Sequence, residues 1–216
     1  MGKMAKKPNT GYLRDKAYEM IKEMIINCQL NPGEPISETE LMKTVGASRT
    51  PIREALNKLE HENLVIIYPK RGIFVTGISI KDVIDIYTIR EVVEPLAAKL
   101  ATPNIDLKEL DKYYKIYTDP GHHYTLEEHI KVDRDFHSLV AKSANNQLLE
   151  QILLRIYDQN SRIRILSKLR VKERHEEARQ EHFELVKGFM DRDVERVEAV
   201  MKRHIANGKK TALKIV

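Results

Sequence analysis

The 216-residue chain has one cysteine, Cys28, and so cannot close an internal disulfide. That favours a reducing compartment and makes the cytoplasm the expected location. Cys28 itself reads as a small, half-buried hydrophobe rather than a redox group. No run of about 18 apolar residues occurs, which excludes a transmembrane helix and leaves no expected membrane partner. Residues 1–9 carry three lysines with no apolar stretch behind them, so they do not read as a secretory signal. Internal repeats and low-complexity segments are missing. So are a nucleophile elbow, a phosphate loop and a recognisable metalloprotease helix, which argues against an enzyme. What is present is 42% hydrophobic and 32% charged, with a net charge of +5, a composition that suits a helix-rich soluble protein of two modest domains. The positive balance alone is mild evidence for a polyanionic partner.

Residues 12–27 place Leu13, Ala17, Met20, Ile21, Met24 and Ile25 at three- and four-residue spacing, one face of an amphipathic helix. Pro32-Gly33 marks a turn. Ser37 followed by Glu40 reads as a capping box opening a short helix over 38–44, closed by a turn at Gly46. Ser48 is expected to cap the next helix, with Pro51 tolerated in its first turn and Ile52, Ala55, Leu56 and Leu59 buried. Asn63 suits the left-handed angles past a helix end. Residues 65–68, the basic turn 69–72 and residues 73–75 read as a β-hairpin. Beyond Gly77 helical periodicity takes over. About six helices are expected, near 80–101, 106–117, 125–143, 146–168, 171–190 and 193–214, with a bend at Pro95. The fold class is thus mainly α: a winged helix-turn-helix over 1–77 and an antiparallel all-α bundle over 78–216.

A short helix, a glycine turn, a second helix and a basic hairpin make a unit that grips double-stranded DNA. Arg49 and Arg53 lie four apart, so both emerge on one face near the start of the second helix, where an arginine can bond guanine bidentately. The hydroxyls of Ser48 and Thr50 suit phosphate oxygens. Lys70 and Arg71, next to Gly72 at the hairpin tip, can reach the adjacent groove or backbone. Glu54 is expected to support the helix or Arg53.

This stretch resembles the GntR family of regulators. The residues that carry the resemblance are 30–34 (Leu-Asn-Pro-Gly-Glu), 37–41 (Ser-Glu-Thr-Glu-Leu) and 46–56 (Gly-Ala-Ser-Arg-Thr-Pro-Ile-Arg-Glu-Ala-Leu), extended by Leu59-Glu60, Leu64 and Arg71-Gly72. The resemblance implies that Arg49, Thr50 and Arg53 contact bases or phosphates and that the wing around Lys70 to Gly72 enters the minor groove. It also implies a homodimer on a pseudo-palindromic operator, most often as a repressor relieved by its effector. Thr39 stands where some members carry a DNA-contacting arginine, and Asn63 where many carry glycine.

In the C-terminal half, Asp133 and His137 share one helix face, while His182 and His204 lie beside core positions of two later helices. A bundle could bring all four to one buried metal site. Taken singly, a histidine on a helix is more often a satisfied core or surface group than a ligand. Residues 90–98 (Arg-Glu-Val-Val-Glu-Pro-Leu-Ala-Ala), Asp133 with Phe136-His137, and Glu181-His182, Asp193 and His204-Ile205 resemble the FCD ligand-binding domain of the FadR branch, and the six-helix count resembles its VanR-like subgroup. That resemblance implies a divalent zinc, nickel or manganese ion on Asp133, His137, His182 and His204, with open positions for a small organic-acid effector. Arg90 is the candidate second anchor for the effector carboxylate, or else the partner of Glu94. His129, one turn before Asp133, could line the pocket; His122, His123 and His175 have no assigned partner. Two rival readings stand: a regulator for which the metal is itself the signal, and a metal-dependent hydrolase using Asp135 or Glu181 as base.

Overall fold

The structure is a computed structural model that describes residues 10–119, 125–166 and 172–214. The backbone divides into two compact units, Met1–Gly77 and Ile78–Val216. No helix among the described residues is long and apolar enough to cross a membrane.

The first unit runs α1 (Thr10–Ile26), β1 (Pro35–Ile36), α2 (Glu38–Val45), α3 (Arg49–His61), β2 (Val65–Tyr68) and β3 (Gly72–Val75). Its core is the apolar face read from the sequence: Ala17, Ile21 and Ile25 of α1 pack with Ile52, Ala55, Leu56 and Leu59 of α3, all buried. Removing each large aliphatic side chain from water contributes about 1.5–3 kcal/mol. β1 was not expected; two residues carry no periodicity, and they add an antiparallel edge strand, Pro35 opposite Phe74, to give the order β1-β3-β2. The hairpin pairs Ile67 with Ile73 and Tyr68 with Gly72. Gly46 closes α2 with φ 70°, its N–H donating to the Met42 carbonyl. The capping box at α2 is only half formed: Ser37 Oγ accepts the Glu40 N–H at 3.3 Å, and no return bond from the Glu40 side chain is present. Ser48 occupies the N-cap of α3 in extended geometry and is exposed, but its side chain makes no cap bond.

The second unit is a bundle of α4 (Ile80–Ala101), α5 (Leu107–Thr118), α6 (Leu126–Ser143), α7 (Gln147–Leu166), α8 (Lys172–Met190) and α9 (Val194–Ala212). Caps fix the starts: Ser79 with Asp82 and Thr125 with Glu128 form complete capping boxes, and Asp106 and Asp193 cap α5 and α9. α4 continues through Pro95, which is buried within it. The core joins Phe136 of α6 to Tyr113 and Tyr117 of α5, Leu185, Val186 and Phe189 of α8, and Val197, Met201 and Ile205 of α9. α8 and α9 approach closely at Gly188, where an added Cβ would stand 2.8 Å from Val197 Cγ2. Gly188→Ala is therefore expected to destabilise the chain by about 1–3 kcal/mol through overpacking, read as a lower urea midpoint at unchanged slope. An unaltered midpoint would show that α9 moves aside freely.

Candidate metal centre and candidate nucleic-acid interface

Asp133 and His137 are one turn apart on α6, so both point inward beside Phe136; α8 brings His182 and α9 brings His204 to the same place. The four side chains each offer a ligand atom, and these atoms all lie within 4.8 Å of one another at buried positions. His137 Nε2 is 3.2 Å from His204 Nε2 and 3.3 Å from His182 Nε2, and His182 Nε2 is 3.4 Å from Asp133 Oδ1. The far nitrogens of two rings face carboxylates: His137 Nδ1 is 2.6 Å from Glu94 Oε2, and His204 Nδ1 is 2.8 Å from Glu181 Oε2. A carboxylate on Nδ1 fixes the tautomer that leaves Nε2 a bare lone pair. Two such lone pairs 3.2 Å apart repel unless a cation lies between them.

Protonating His182 or His204 is not the remedy. Burial first, then the neighbouring His204, pushes His182 well below its usual imidazole value; burial likewise lowers His204, against the pull of Glu181. Burial would raise Asp133, but Arg164 and the three histidines outweigh it and hold the carboxyl well below its usual range. Glu94 is held at about 2, since Arg90 and then His137 overcome its desolvation. Three imidazoles and one carboxylate form a donor set for a borderline divalent ion, and the residues present fit one. Tyr117 stacks on the His182 ring at 5.0 Å, and Phe136 meets His182 edge-on at 5.4 Å, which walls the centre on the α5 side.

A pocket of about 50 Å³ opens onto this centre, lined by Tyr117, His129, Asp133, Arg164, Arg179 and His182 among others. His129 thus lines the pocket. Arg164 pairs with Asp133 Oδ2, and Arg179 bonds Glu176 and the Tyr117 carbonyl. Arg90 is not among the lining residues: it bonds Glu94 Oε1 at 2.5 Å and donates to Asn160 Oδ1 at 2.8 Å, both buried. Sequence reasoning found the four central residues but missed Arg164 and Arg179, since nothing in a helix's own pattern marks which arginine meets a neighbouring helix. Glu94 and Glu181 were visible only in other roles. His122 and His123 lie outside the described residues, as does the side chain of His175.

In the first unit, Ser48, Arg49, Thr50 and Arg53 are exposed at the start of α3, and Lys70, Arg71 and Gly72 are exposed at the hairpin tip. Lys70 takes φ 64° and Gly72 φ 107°, left-handed angles that turn the tip tightly. Arg53 pairs with Glu38 rather than Glu54: its Nε and Nη2 reach the two carboxylate oxygens at 2.5 and 3.2 Å, and this pairing lowers the Glu38 carboxyl. Glu60 accepts the Ile67 N–H at 2.9 Å and ties α3 to the wing. A groove between them is lined by Glu38, Arg53, Asn57, Tyr68 and Lys70.

Comparison with known proteins agrees with both halves. Residues 13–75 match the family model of bacterial regulatory proteins of the gntR family, and residues 85–207 match the FCD domain. The HTH-type transcriptional regulator YdhC of Bacillus subtilis is 36% identical over 165 residues, covering 74% of this chain and 73% of that protein. The HTH-type transcriptional repressor RspR of Escherichia coli is 28% identical over 196 residues, 89% of this chain and 86% of that protein. E. coli McbR/YncC shares the fold at a TM-score of 0.78 and 19% identity, over 94% of this chain and 97% of that one. These relatives are regulators, not enzymes, and the chain belongs to the GntR family of transcriptional regulators, in the FadR-type group that carries an FCD domain.

Proposed function

We propose that the protein is a cytoplasmic, homodimeric repressor that binds a pseudo-palindromic operator and answers to a small carboxylate bound beside a divalent ion in the FCD unit. Six helices in that unit, α4 to α9, support the VanR-like subgroup. The observation that carries the reading is the pair of facing Nε2 atoms at 3.2 Å, with a pocket opening onto the same Asp133 and His182. Asp133, His137, His182 and His204 would hold zinc, nickel or manganese, which supplies positive charge for an anionic ligand. Glu94 and Glu181 orient His137 and His204; Arg90 and Asn160 keep Glu94 in place. Arg164 and Arg179 offer the guanidinia for the ligand carboxylate in place of Arg90. A cavity of about 50 Å³ has room for only a few water-sized groups, which points to small acids.

Arg164 links ligand to scaffold. It already pairs with Asp133, so a ligand carboxylate that draws on the same guanidinium alters the tie between α7 and α6. Operator affinity follows only if the ligand favours one arrangement of the DNA-reading units, a coupling typically of about 1–3 kcal/mol. Calorimetric titration of acetate, lactate and succinate into metal-loaded protein tests the reading. One of them is expected to bind, to weaken at least tenfold in Arg164→Ala, and to change the affinity for operator selected from random duplexes. Binding that leaves operator affinity unchanged would refute the coupling. A switch that follows metal supply with no organic ligand would favour the metal-sensing alternative.

A further inference from the structure

Between α3 and the hairpin lies a cleft of about 290 Å³. Asn57 lines it from α3, Tyr68 and Lys70 line it from the wing, and Leu56, Ile67 and Ile73 form an apolar floor. The two walls are held at a fixed spacing. Glu60 of α3 accepts the Ile67 N–H at 2.9 Å, and Ile67 pairs with Ile73 across the hairpin. Phe74 braces the Tyr68 ring in an edge-on contact, with centroids 5.8 Å apart. The Tyr68 hydroxyl, the Asn57 amide and the Lys70 ammonium belong to exposed residues, and no side chain among the described residues bonds them. Each can donate a hydrogen bond. The carboxylate that lines the same cleft, Glu38, is already engaged by Arg53. The cleft therefore offers donors to a ligand and withholds its strongest acceptor.

B-DNA supplies a ligand of that chemistry by its shape. A helix in the major groove and a wing in the adjacent minor groove leave one sugar-phosphate strand between them, because that strand is what separates the two grooves. We propose that the cleft between α3 and the wing is a phosphodiester site for this strand. The Asn57 amide and the Tyr68 hydroxyl donate to the oxygens of one phosphate, Lys70 neutralises its charge, and the apolar floor meets the adjoining deoxyribose. The site rests on the DNA-binding reading above and adds two neutral residues to it. A short amide and a braced ring lose little side-chain freedom on binding, so they hold the strand in place at small entropic cost. Phosphates are alike along every sequence, so the site sets the register of α3 without itself reading a base. Neutral donors also leave a distinctive mark. The salt slope counts the counterions displaced by cationic side chains, so Asn57 and Tyr68 add affinity without adding to the slope.

Anisotropy titrations of the full chain on a duplex selected from random sequence test this, with the duplex either native or carrying one methylphosphonate linkage at each position in turn. That linkage removes the charge and one acceptor oxygen of a single phosphate. At one position in each half-site it is expected to cost the wild type about tenfold in affinity. Tyr68→Phe keeps the ring against Phe74, and alanine suits a helix better than asparagine, so neither Tyr68→Phe nor Asn57→Ala should lower the melting curve. Each should weaken the native duplex and random duplexes alike, by about three- to tenfold at unchanged salt slope. In the double variant the methylphosphonate at the sensitive position should cost under about twofold, because its partners are gone. Variants that bind the native duplex as the wild type does, or a methylphosphonate penalty equal in wild type and double variant at every position, overturn the site and leave the DNA-binding reading standing. Weakening confined to one sequence assigns the two side chains to bases and overturns it as well. A wild type that binds no duplex refutes the DNA-binding reading, and the site falls with it.

Discussion

Stripping the divalent ion is expected to lower the melting temperature of the full chain by about 8–16 °C. An ion present at about 1,000 times its Kd stabilises the folded state by about 4 kcal/mol, and each kcal/mol shifts a chain of this length by roughly 2–4 °C. The reason lies in the geometry: without a cation, buried histidine lone pairs face each other at 3.2 Å beside an ionised Asp133. The wild type is expected to carry one ion per chain by mass spectrometry; His182→Ala and Asp133→Ala should each abolish it, and chelator should then leave their melting curves unchanged. His182→Ala is the cleaner variant, since Asp133→Ala also removes the pairing of Arg164 with Asp133. A wild type that gains no ion on reconstitution, or that melts identically with and without chelator, would sink the metal centre. The DNA-binding assignment would not be touched.

The second large effect concerns α3. Arg49→Ala and Arg53→Ala should each reduce affinity for the selected operator by about 5–150-fold, the worth of one bidentate base contact at about 1–3 kcal/mol, and relax specificity at a defined base pair. Lys70→Ala should instead weaken all sequences alike and reduce the salt slope by about 1. Arg53 adds a sign that composition would not suggest. Glu38 occupies its guanidinium, so Glu38→Gln should raise affinity for random DNA, by no more than about fivefold for so exposed a pair. Anisotropy titrations at several salt concentrations measure all four. An Arg53→Ala protein as tight and as selective as the wild type would remove α3 from the groove.

What the sequence makes legible follows the range of the interactions involved. Helix bounds read from periodicity and its breaks agree within two residues or so among the described residues, and Ser79, Asp106, Thr125 and Asp193 stand at four of the starts as local caps; the expected bounds at 168 and 171 lie outside the described residues. The winged helix-turn-helix is readable for the same reason: its turns at Gly46 and Asn63 need left-handed backbone, and the residues that tolerate it are there. Asp133 and His137 advertise one face by spacing alone. Convergence of His182 and His204 on that face depends on how three helices cross, which no local pattern encodes; family resemblance supplied it. Charge pairing was read least well. Arg53 chose Glu38, fifteen residues away across a helix pair, over its sequence neighbour Glu54. Arg90 sank onto Glu94 and Asn160, while Arg164, unremarked in the sequence, reached Asp133. Partners of long, flexible side chains are settled by tertiary packing, and the sequence offers several equivalent choices.

The four central side chains also span the chain in a telling way. His137 lies 45 residues from His182 and 67 from His204. A cation joining them closes those loops as a covalent bridge would, and long loops gain most from closure. With one cysteine, the chain has no internal disulfide to do this, so its only such cross-link would be reversible and set by the ion's free concentration. The stiffness of the bundle then becomes a quantity that the surroundings can titrate. Amide exchange in α6, α8 and α9 would slow together as the ion is supplied, a mechanical reading of the cell's metal store.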